Sequence, residues 1–429
     1  MSAPTAKQEY SSLVRNDGVH RRVYRDPAVF DAEMENIFKN TWVYLAHESQ
    51  IPTVGDYLTL PVGREPVILV RSEDETIRAL VNRCRHRAAL VCEFANGNAK
   101  SFRCQYHGWT YANDGSLVGV PIPDRQEENF RERLGLVEMP RVESYRGLIF
   151  GSFRDDVPSL VDHLGEGVIF YIDRFLDQAG GRPLTAHRHA HRVDMVGNWK
   201  FQMENGLDGY HAGFTHRSFF NVMQERLKKN VRYASSLSTA SARSYPNGHS
   251  VIDPGTTSTQ PLVDRLSTLP NATGLFDQLR EEVGDDAFDS YLEQVAGHGI
   301  NVGVFPNLQL IGIHIRRIEP VAVDRTVVSV RPLIESGGPE AFNQMRLRYH
   351  ELFYGPAGFG QPDDFEMFER VERGIDDSSA EWLLFERGLN REDVTNGNGA
   401  ELVGAVSDET PQRAQYASWA HLMEIGAGK

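Results

Sequence analysis

Cys84-Arg85-His86 is followed, after 17 intervening residues, by Cys104-Gln105-Tyr106-His107. Each pair joins one thiol to one imidazole across one or two residues. Two such pairs can close around one compact metal centre with two thiolates and two neutral nitrogens. The residues after the second pair read as a strand and a turn: Gly108-Trp109-Thr110-Tyr111, then Asn113-Asp114-Gly115, a hairpin signal.

Two metal centres use this ligand count. A Rieske [2Fe-2S] cluster takes two cysteines on one iron and two histidines on the other, which raises its potential over an all-cysteine cluster. A structural zinc site of Cys2His2 type is the alternative. Zinc fingers group their cysteines and their histidines, whereas each pair here mixes the two. The order and the hairpin context favour the cluster, and with it one-electron transfer. Cys92, the one other cysteine, lies in the apolar run Ala88 to Cys92 and reads as a small buried residue. No disulfide framework remains, which points to a reducing compartment, most simply the cytoplasm.

The chain has 429 residues, enough for two or three domains. It is 40% hydrophobic and 24% charged, with a formal net charge of −14. That charge disfavours nucleic acid as a partner. No run approaches the roughly 18 apolar residues of a membrane helix. Met1 to Asp17 is polar and has no secretory core.

Asp26 to Asn40 carries apolar residues at helical spacing. From Thr41 to about Phe153 short β-rich runs follow: Trp42–Ala46, Tyr57–Leu60, Pro66–Arg71, Ile77–Val81 and Gly147–Phe153. Both metal pairs fall in loops of this segment, which reads as a small all-β domain. Asp155 to about Asp177 reads as helix. Beyond it, helices are expected over Trp199–His216, Pro339–Phe353, Asp363–Ile375 and Tyr416–Ile425. Strands are expected over Thr185–Val196, Asn301–Pro320 and Thr326–Pro332. Gly255–Gly274, rich in Thr, Ser and Pro, reads as a long loop, and Asn396-Gly397-Asn398-Gly399 as another.

Glu204-Asn205-Gly206-Leu207-Asp208-Gly209-Tyr210-His211, with His216 beyond it, suggests a mononuclear site. Two histidines and a carboxylate hold Fe(II) and leave one face open. On a regular helix His211 and His216 point about 140° apart. Both reach one metal only if the helix bends, for which Gly213 is placed. Asp208, three before His211, is either a ligand or a hydrogen-bond partner for the far nitrogen of His211. A second trio, His187, His189 and His191, would share one face of a strand. Arg188 and Arg192 beside it suit an exposed strand instead.

With both motifs in hand, the chain resembles the large (α) subunits of Rieske non-heme iron ring-hydroxylating oxygenases, from about Tyr24 onward. Trp42-Val-Tyr-Leu-Ala-His-Glu-Ser-Gln-Ile-Pro52, Asn198-Trp-Lys200 and Glu204 to His211 are most similar to the benzoate and anthranilate dioxygenase branch. Gly147–Phe153 and Gly355-Pro-Ala-Gly-Phe359 also resemble the terephthalate enzymes. The resemblance implies an α+β protein: an inserted all-β Rieske [2Fe-2S] domain, residues 42–155, and a catalytic domain, residues 156–429, with a large antiparallel sheet flanked by helices. Residues 1–41 would be an N-terminal segment of the catalytic domain.

Carried over residue by residue, the resemblance makes Cys84, His86, Cys104 and His107 the cluster ligands and His211, His216 and Asp364 the iron ligands. Asp208 matches a carboxylate that bridges an iron histidine to a cluster histidine of the neighbouring subunit. Asn205, Leu207 and Tyr354 become pocket candidates. Arg316, on a strand, resembles the position where carboxylate-using relatives carry an arginine; by period 2, Arg317 faces the other way. One departure stands out: His86-Arg87-Ala88 replaces the family's His-Arg-Gly.

The activity implied is that of a terminal oxygenase in a multicomponent NAD(P)H-dependent dioxygenase. It would dihydroxylate an aromatic carboxylate of the benzoate, anthranilate, salicylate or halobenzoate type, with O2, to a cis-diol or catechol. The partners implied are a reductase, a ferredoxin in some systems, and either an α3 trimer or an α3β3 assembly with small β subunits. A monooxygenase or demethylase on the same scaffold, and a pure Rieske electron carrier, are the alternatives.

Overall fold

In the computed structural model, residues 10–121, 130–179, 181–187, 189–228, 240–255, 259–296, 299–393 and 402–427 are described. They fall into two compact units: residues 34–160, and residues 1–33 together with 161–429.

The first unit is built from short antiparallel strands. Ile77–Val81, Glu65–Arg71, Asp56–Val62 and Asn96–Asn98 form one sheet in that order. Arg141–Tyr145, Leu148–Ser152 and Val43–His47 form a second. Leu117–Gly119, Thr110–Ala112 and Ser101–Arg103 form a third, which carries the second metal pair. Its hairpin closes at Asn113-Asp114-Gly115, where Gly115 has φ 90°, a conformation glycine adopts without a Cβ penalty. The core gathers Ile68, Val70, Leu80, Phe102 and Tyr111 around Cys84, Cys92 and Cys104. Cys92 is buried there, and the Asn82 side chain accepts its backbone N–H and donates to its carbonyl.

In the second unit, nine strands among the described residues form one antiparallel sheet. Leu184–Ala186 and His191–Val196 both pair with Arg325–Glu335. The order then runs through His314–Ala322, Leu308–Ile311, Asn301–Val304, Ser250–Asp253, Ser241–Ser244 and Leu402–Ala405. The helix Trp199–Asn205 lies on this sheet, tied by Gln309, whose Nε2 donates to the carbonyls of Gln202 and Met203 at 2.9 Å. Arg316 stands opposite Gln309 in the register and so shares that face.

Three expectations need correcting. Trp199–His216 is not one helix but a helix ending at Asn205, a turn, and a short helix Ala212–Thr215. The break falls at His216 itself (φ −97°, ψ 31°), not at Gly213. Gly255–Gly274 is no loop throughout. Thr259–Leu266 is a helix and another begins at Ala272, because Leu262, Leu266, Leu269 and Leu275 join one helical core cluster. Burial overrode a composition that favours turns. Finally, His187, His189 and His191 do not share one strand, because strand pairing stops at Ala186 and resumes at His191. The Asn396–Gly399 stretch lies outside the described residues. Among those described, no helix is long and apolar enough to cross a membrane.

Candidate metal centres and substrate cavity

The two cluster loops are built alike. In the first, the Cys84 N–H donates to the Ala89 carbonyl and the Ala88 N–H to the Cys84 carbonyl, at 2.8 and 3.0 Å. In the second, Cys104 donates to Trp109 and Gly108 to Cys104, at 2.8 and 2.9 Å. Ala88 and Gly108 take the same left-handed turn, with φ 60° and 72°. The loop therefore keeps its shape without the glycine, and Ala88 carries the left-handed strain of a residue with a Cβ, about 1–2 kcal/mol.

Both cysteines are buried and free, 4% and 1% exposed, while His86 and His107 stand exposed with ring centroids 4.5 Å apart. Trp109 stacks on His86 at 5.1 Å, fixing its ring plane. The Tyr111 hydroxyl lies 3.4 Å from Cys84 Sγ and accepts the Arg85 N–H. Two buried thiols behind two adjacent outward imidazoles suit a cluster with a solvent-facing histidine side. A closed zinc tetrahedron would bury its histidines as well.

Arg83, Arg85, Arg87 and Arg103 surround these loops and are all exposed. None of the four has a carboxylate partner among the described residues. Asp114, one candidate, spends its carboxylate on Ser116.

His211, His216 and Asp364 converge in the second unit. Asp364 Oδ1 lies 3.5 Å from His211 Nε2 and 3.3 Å from His216 Nε2. Adjacent ligands about 2.1 Å from an octahedral ion would be about 3 Å apart, so the spacing fits one metal. The break at His216 turns its ring toward His211, with centroids 5.3 Å apart. Asp364 arrives from the first turn of the helix Gln361–Gly374 and is 5% exposed. A buried carboxylate between two imidazoles is a poor apolar core and a good cation site. The Asn205 amide faces the same point, its Nδ2 3.1 Å from Asp364 Oδ1 and 3.2 Å from His211 Nε2.

Asp208 is not on a helix face. It sits in the turn before the short helix, where its Oδ1 accepts the N–H groups of Tyr210 and His211 at 2.6 and 3.3 Å. Its Oδ2 lies 3.4 Å from His211 Nδ1. Burial pushes this carboxyl up, but the His211 contact and the two N–H groups outweigh it and hold it below the usual range. Asp208 is thus set against the far nitrogen of His211, outside the three-residue group.

Arg316 is 2% exposed, with its guanidinium over the Tyr354 ring at 5.7 Å and no carboxylate partner among the described residues. Arg317, on the other face, donates to Glu319 at 2.6 Å. Tyr354 helps to line a cavity of about 210 Å³. Phe353 on its wall touches His216, with centroids 5.1 Å apart. Leu207 instead packs into a core cluster with Ala242, Ile252 and Val406. His191 finds Glu351 at 2.7 Å and stacks near His350. Sequence reading missed His314 and His350. His314 precedes Arg316 by two on one strand face, which alternation could have revealed.

A β unit with a two-loop cysteine–histidine site, joined in one chain to a two-histidine, one-carboxylate site, defines an iron-dependent oxygenase with its own electron-transfer centre. Residues 41–145 match the Rieske [2Fe-2S] domain, and residues 184–423 match the ring hydroxylating alpha subunit catalytic domain. The chain is 33% identical to the 2-halobenzoate 1,2-dioxygenase large subunit of Burkholderia cepacia, over 90% of this chain and 85% of that protein. It is 32% identical to the anthranilate 1,2-dioxygenase large subunit of Acinetobacter baylyi, over 88% and 82%. Among solved structures, naphthalene 1,2-dioxygenase from Rhodococcus sp. bound to indole superposes with a TM-score of 0.78 at 30% identity, covering 95% of this chain and 94% of that one. The chain belongs to the ring-hydroxylating oxygenase α subunits: it is an aromatic-ring dioxygenase large subunit with a Rieske [2Fe-2S] cluster and a mononuclear iron. The catalytic-domain match sets aside a pure electron carrier.

Proposed function

We propose that this subunit dihydroxylates an aromatic carboxylate, giving a cis-diol, or a catechol where a substituent on an attacked carbon leaves as its acid or as ammonia or water, with or without CO2. Cys84, His86, Cys104 and His107 hold the cluster, and His211, His216 and Asp364 hold the iron. When bound, the two centres supply stored electrons and O2 activation. The rest belongs to the chain's own residues. Phe353 packs the cavity wall against His216 and keeps water from that side. Asp208 holds the proton on His211 Nδ1 and fixes its ring, and would link that histidine to a cluster histidine of a neighbouring copy in an α3 or α3β3 assembly.

Arg316 carries the reading of the substrate. A buried guanidinium with no carboxylate costs free energy unless something anionic pairs with it, and a planar carboxylate matches its fork. Arg316→Met should therefore raise KM for the aromatic acid about tenfold to a hundredfold, the value of a charged hydrogen bond. Arg317→Met, on the opposite face, leaves Glu319 to Arg192 and Ser329 and should change KM less than about threefold. Steady-state kinetics with benzoate, anthranilate, salicylate and halobenzoates would check this, and equal small effects would remove Arg316 from the site. 18O2 labelling should place two labelled oxygens in each product; a single labelled oxygen would mean monooxygenation.

The electron donor is a reductase or ferredoxin, and the arginine rim, without a carboxylate partner among the described residues, is its docking surface. On a chain of net charge −14, a local basic patch steers an acidic partner through its field. Arg83→Glu and Arg85→Glu should each slow cluster reduction by the donor about tenfold at low salt. The wild-type rate should fall as salt rises. Stopped-flow reduction measures both, and a rate indifferent to salt and to both reversals would move docking elsewhere.

A further inference from the structure

The cavity beside the iron ligands has the wrong electrostatics for an acid with one charged group. Its lining includes Arg265 and Arg346 and no aspartate or glutamate. Arg346, 4% exposed, spends Nη1 on Glu335 at 3.4 Å and leaves Nη2 without a partner. Gln178, 8% exposed, leaves its amide nitrogen without one, and His350, 1% exposed, leaves both ring nitrogens without one. Burial holds the His350 imidazole neutral, with its pKa pushed down to about 3, so one ring nitrogen donates. Arg265 rests on the Tyr349 ring at 5.9 Å and has no carboxylate partner among the described residues. One His350 nitrogen apart, the unsatisfied groups on this wall are thus donors, in a protein that carries many more acids than bases.

Buried donors without acceptors cost about 1–3 kcal/mol each, more when charged. They persist where a ligand supplies the acceptors. The remaining wall is apolar: Leu262, Leu266, Val295, Ala296 and Phe342. At about 210 Å³ the cavity is smaller than the roughly 300–1,000 Å³ of drug-sized sites, which favours a single ring. Arg316 is not on this wall. It faces the ring of Tyr354, a residue of that wall, at 5.7 Å. Tyr354 is thus shared between the cavity wall and the Arg316 guanidinium.

We propose that the substrate is a single aromatic ring with two anionic groups, a benzenedicarboxylate or a sulfobenzoate, one held by Arg316 and the other by Arg265, Arg346 and Gln178. This rests on the reading of Arg316 given above and adds a second requirement to it. A second carboxylate would accept from Arg346 Nη2 and the Gln178 amide, and His350 would complete its donor set. A monoacid such as benzoate would leave that wall unpaired.

The test is binding to the fully loaded, oxidised enzyme, measured by calorimetry without reductant so that no turnover intervenes. The probes are benzoate, the three benzenedicarboxylate isomers and 4-sulfobenzoate. At least one diacid should bind ten times more tightly than benzoate. Arg265→Met and Gln178→Leu should each lower the diacid-to-benzoate affinity ratio at least fivefold. Arg346 is left intact because its loss would strand Glu335. Near-equal binding of benzoate and every diacid would overturn the proposal, as would a ratio unmoved by both variants. Either result leaves the Arg316 reading standing, because that reading fails only if Arg316→Met leaves the affinity for benzoate itself unchanged.

Discussion

Asp208→Ala should leave three irons on each chain and yet cut reductase-coupled turnover about a hundredfold or more, the upper range for loss of a ligand's supporting partner. The metal ligands are untouched by the change. His211, His216 and Asp364 already converge through Asp364 Oδ1, at 3.5 and 3.3 Å. What disappears is the acceptor at His211 Nδ1 and the cap on the N–H groups of Tyr210 and His211. Asp208→Asn separates these two losses. Its amide oxygen can still accept the backbone N–H groups, so the turn should keep its shape, but its charge is gone. If the turn alone mattered, Asp208→Asn would turn over normally. If the charged link to His211 matters, both variants should be slow. Rapid-quench experiments on pre-reduced enzyme would show the cluster staying reduced in each slow variant. Normal turnover of Asp208→Ala with iron and cluster intact would remove Asp208 from the electron route.

How much of this was legible in the chain differs between the two centres, for a physical reason. The cluster loops are local. Each ligand pair sits within four residues, each loop closes on its own backbone hydrogen bonds, and the Asn113-Asp114-Gly115 turn follows directly. Spacing therefore carried most of the information. The iron group is non-local. Its two histidines flank the short helix Ala212–Thr215, and the helix break that aims them falls on His216 itself, where no glycine or proline marks it. The third arm, Asp364, comes from another helix and was reached by resemblance rather than by spacing. The donor-lined cavity was illegible for the same reason: Gln178, Arg265 and the helix that carries Arg346 and His350 are separate stretches that only tertiary packing unites. Helix Thr259–Leu266 shows the reverse failure, a turn-rich composition overruled by burial of Leu262 and Leu266.

The largest stability effect should come from a group with no part in the chemistry. Lys200→Met should destabilise the protein by about 3–5 kcal/mol, the cost of stranding one partner of a buried ion pair. Lys200 and Glu33 are both fully buried, with Nζ 2.6 Å from Glu33 Oε1. Trp419 Nε1 donates to the same oxygen at 2.6 Å and Trp199 Nε1 to the other at 2.8 Å. Burial pulls the Lys200 ammonium below its usual pKa, and the Glu33 charge works against that pull. One carboxylate thus ties the N-terminal segment, the C-terminal helix and the helix Trp199–Asn205, whose far end presents Asn205 to the iron ligands. Methionine fills the lysine's volume but supplies no cation, so Glu33 keeps two indole donors and an uncompensated charge. Adding Glu33→Gln should recover part of the loss, because an amide oxygen still accepts from a tryptophan and no buried charge remains. Urea unfolding of the single and double variants would measure this through the shift in midpoint. A single-variant loss below about 1 kcal/mol, the range of an exposed pair, would mean that Glu33 takes up a proton or reaches water once Lys200 is gone.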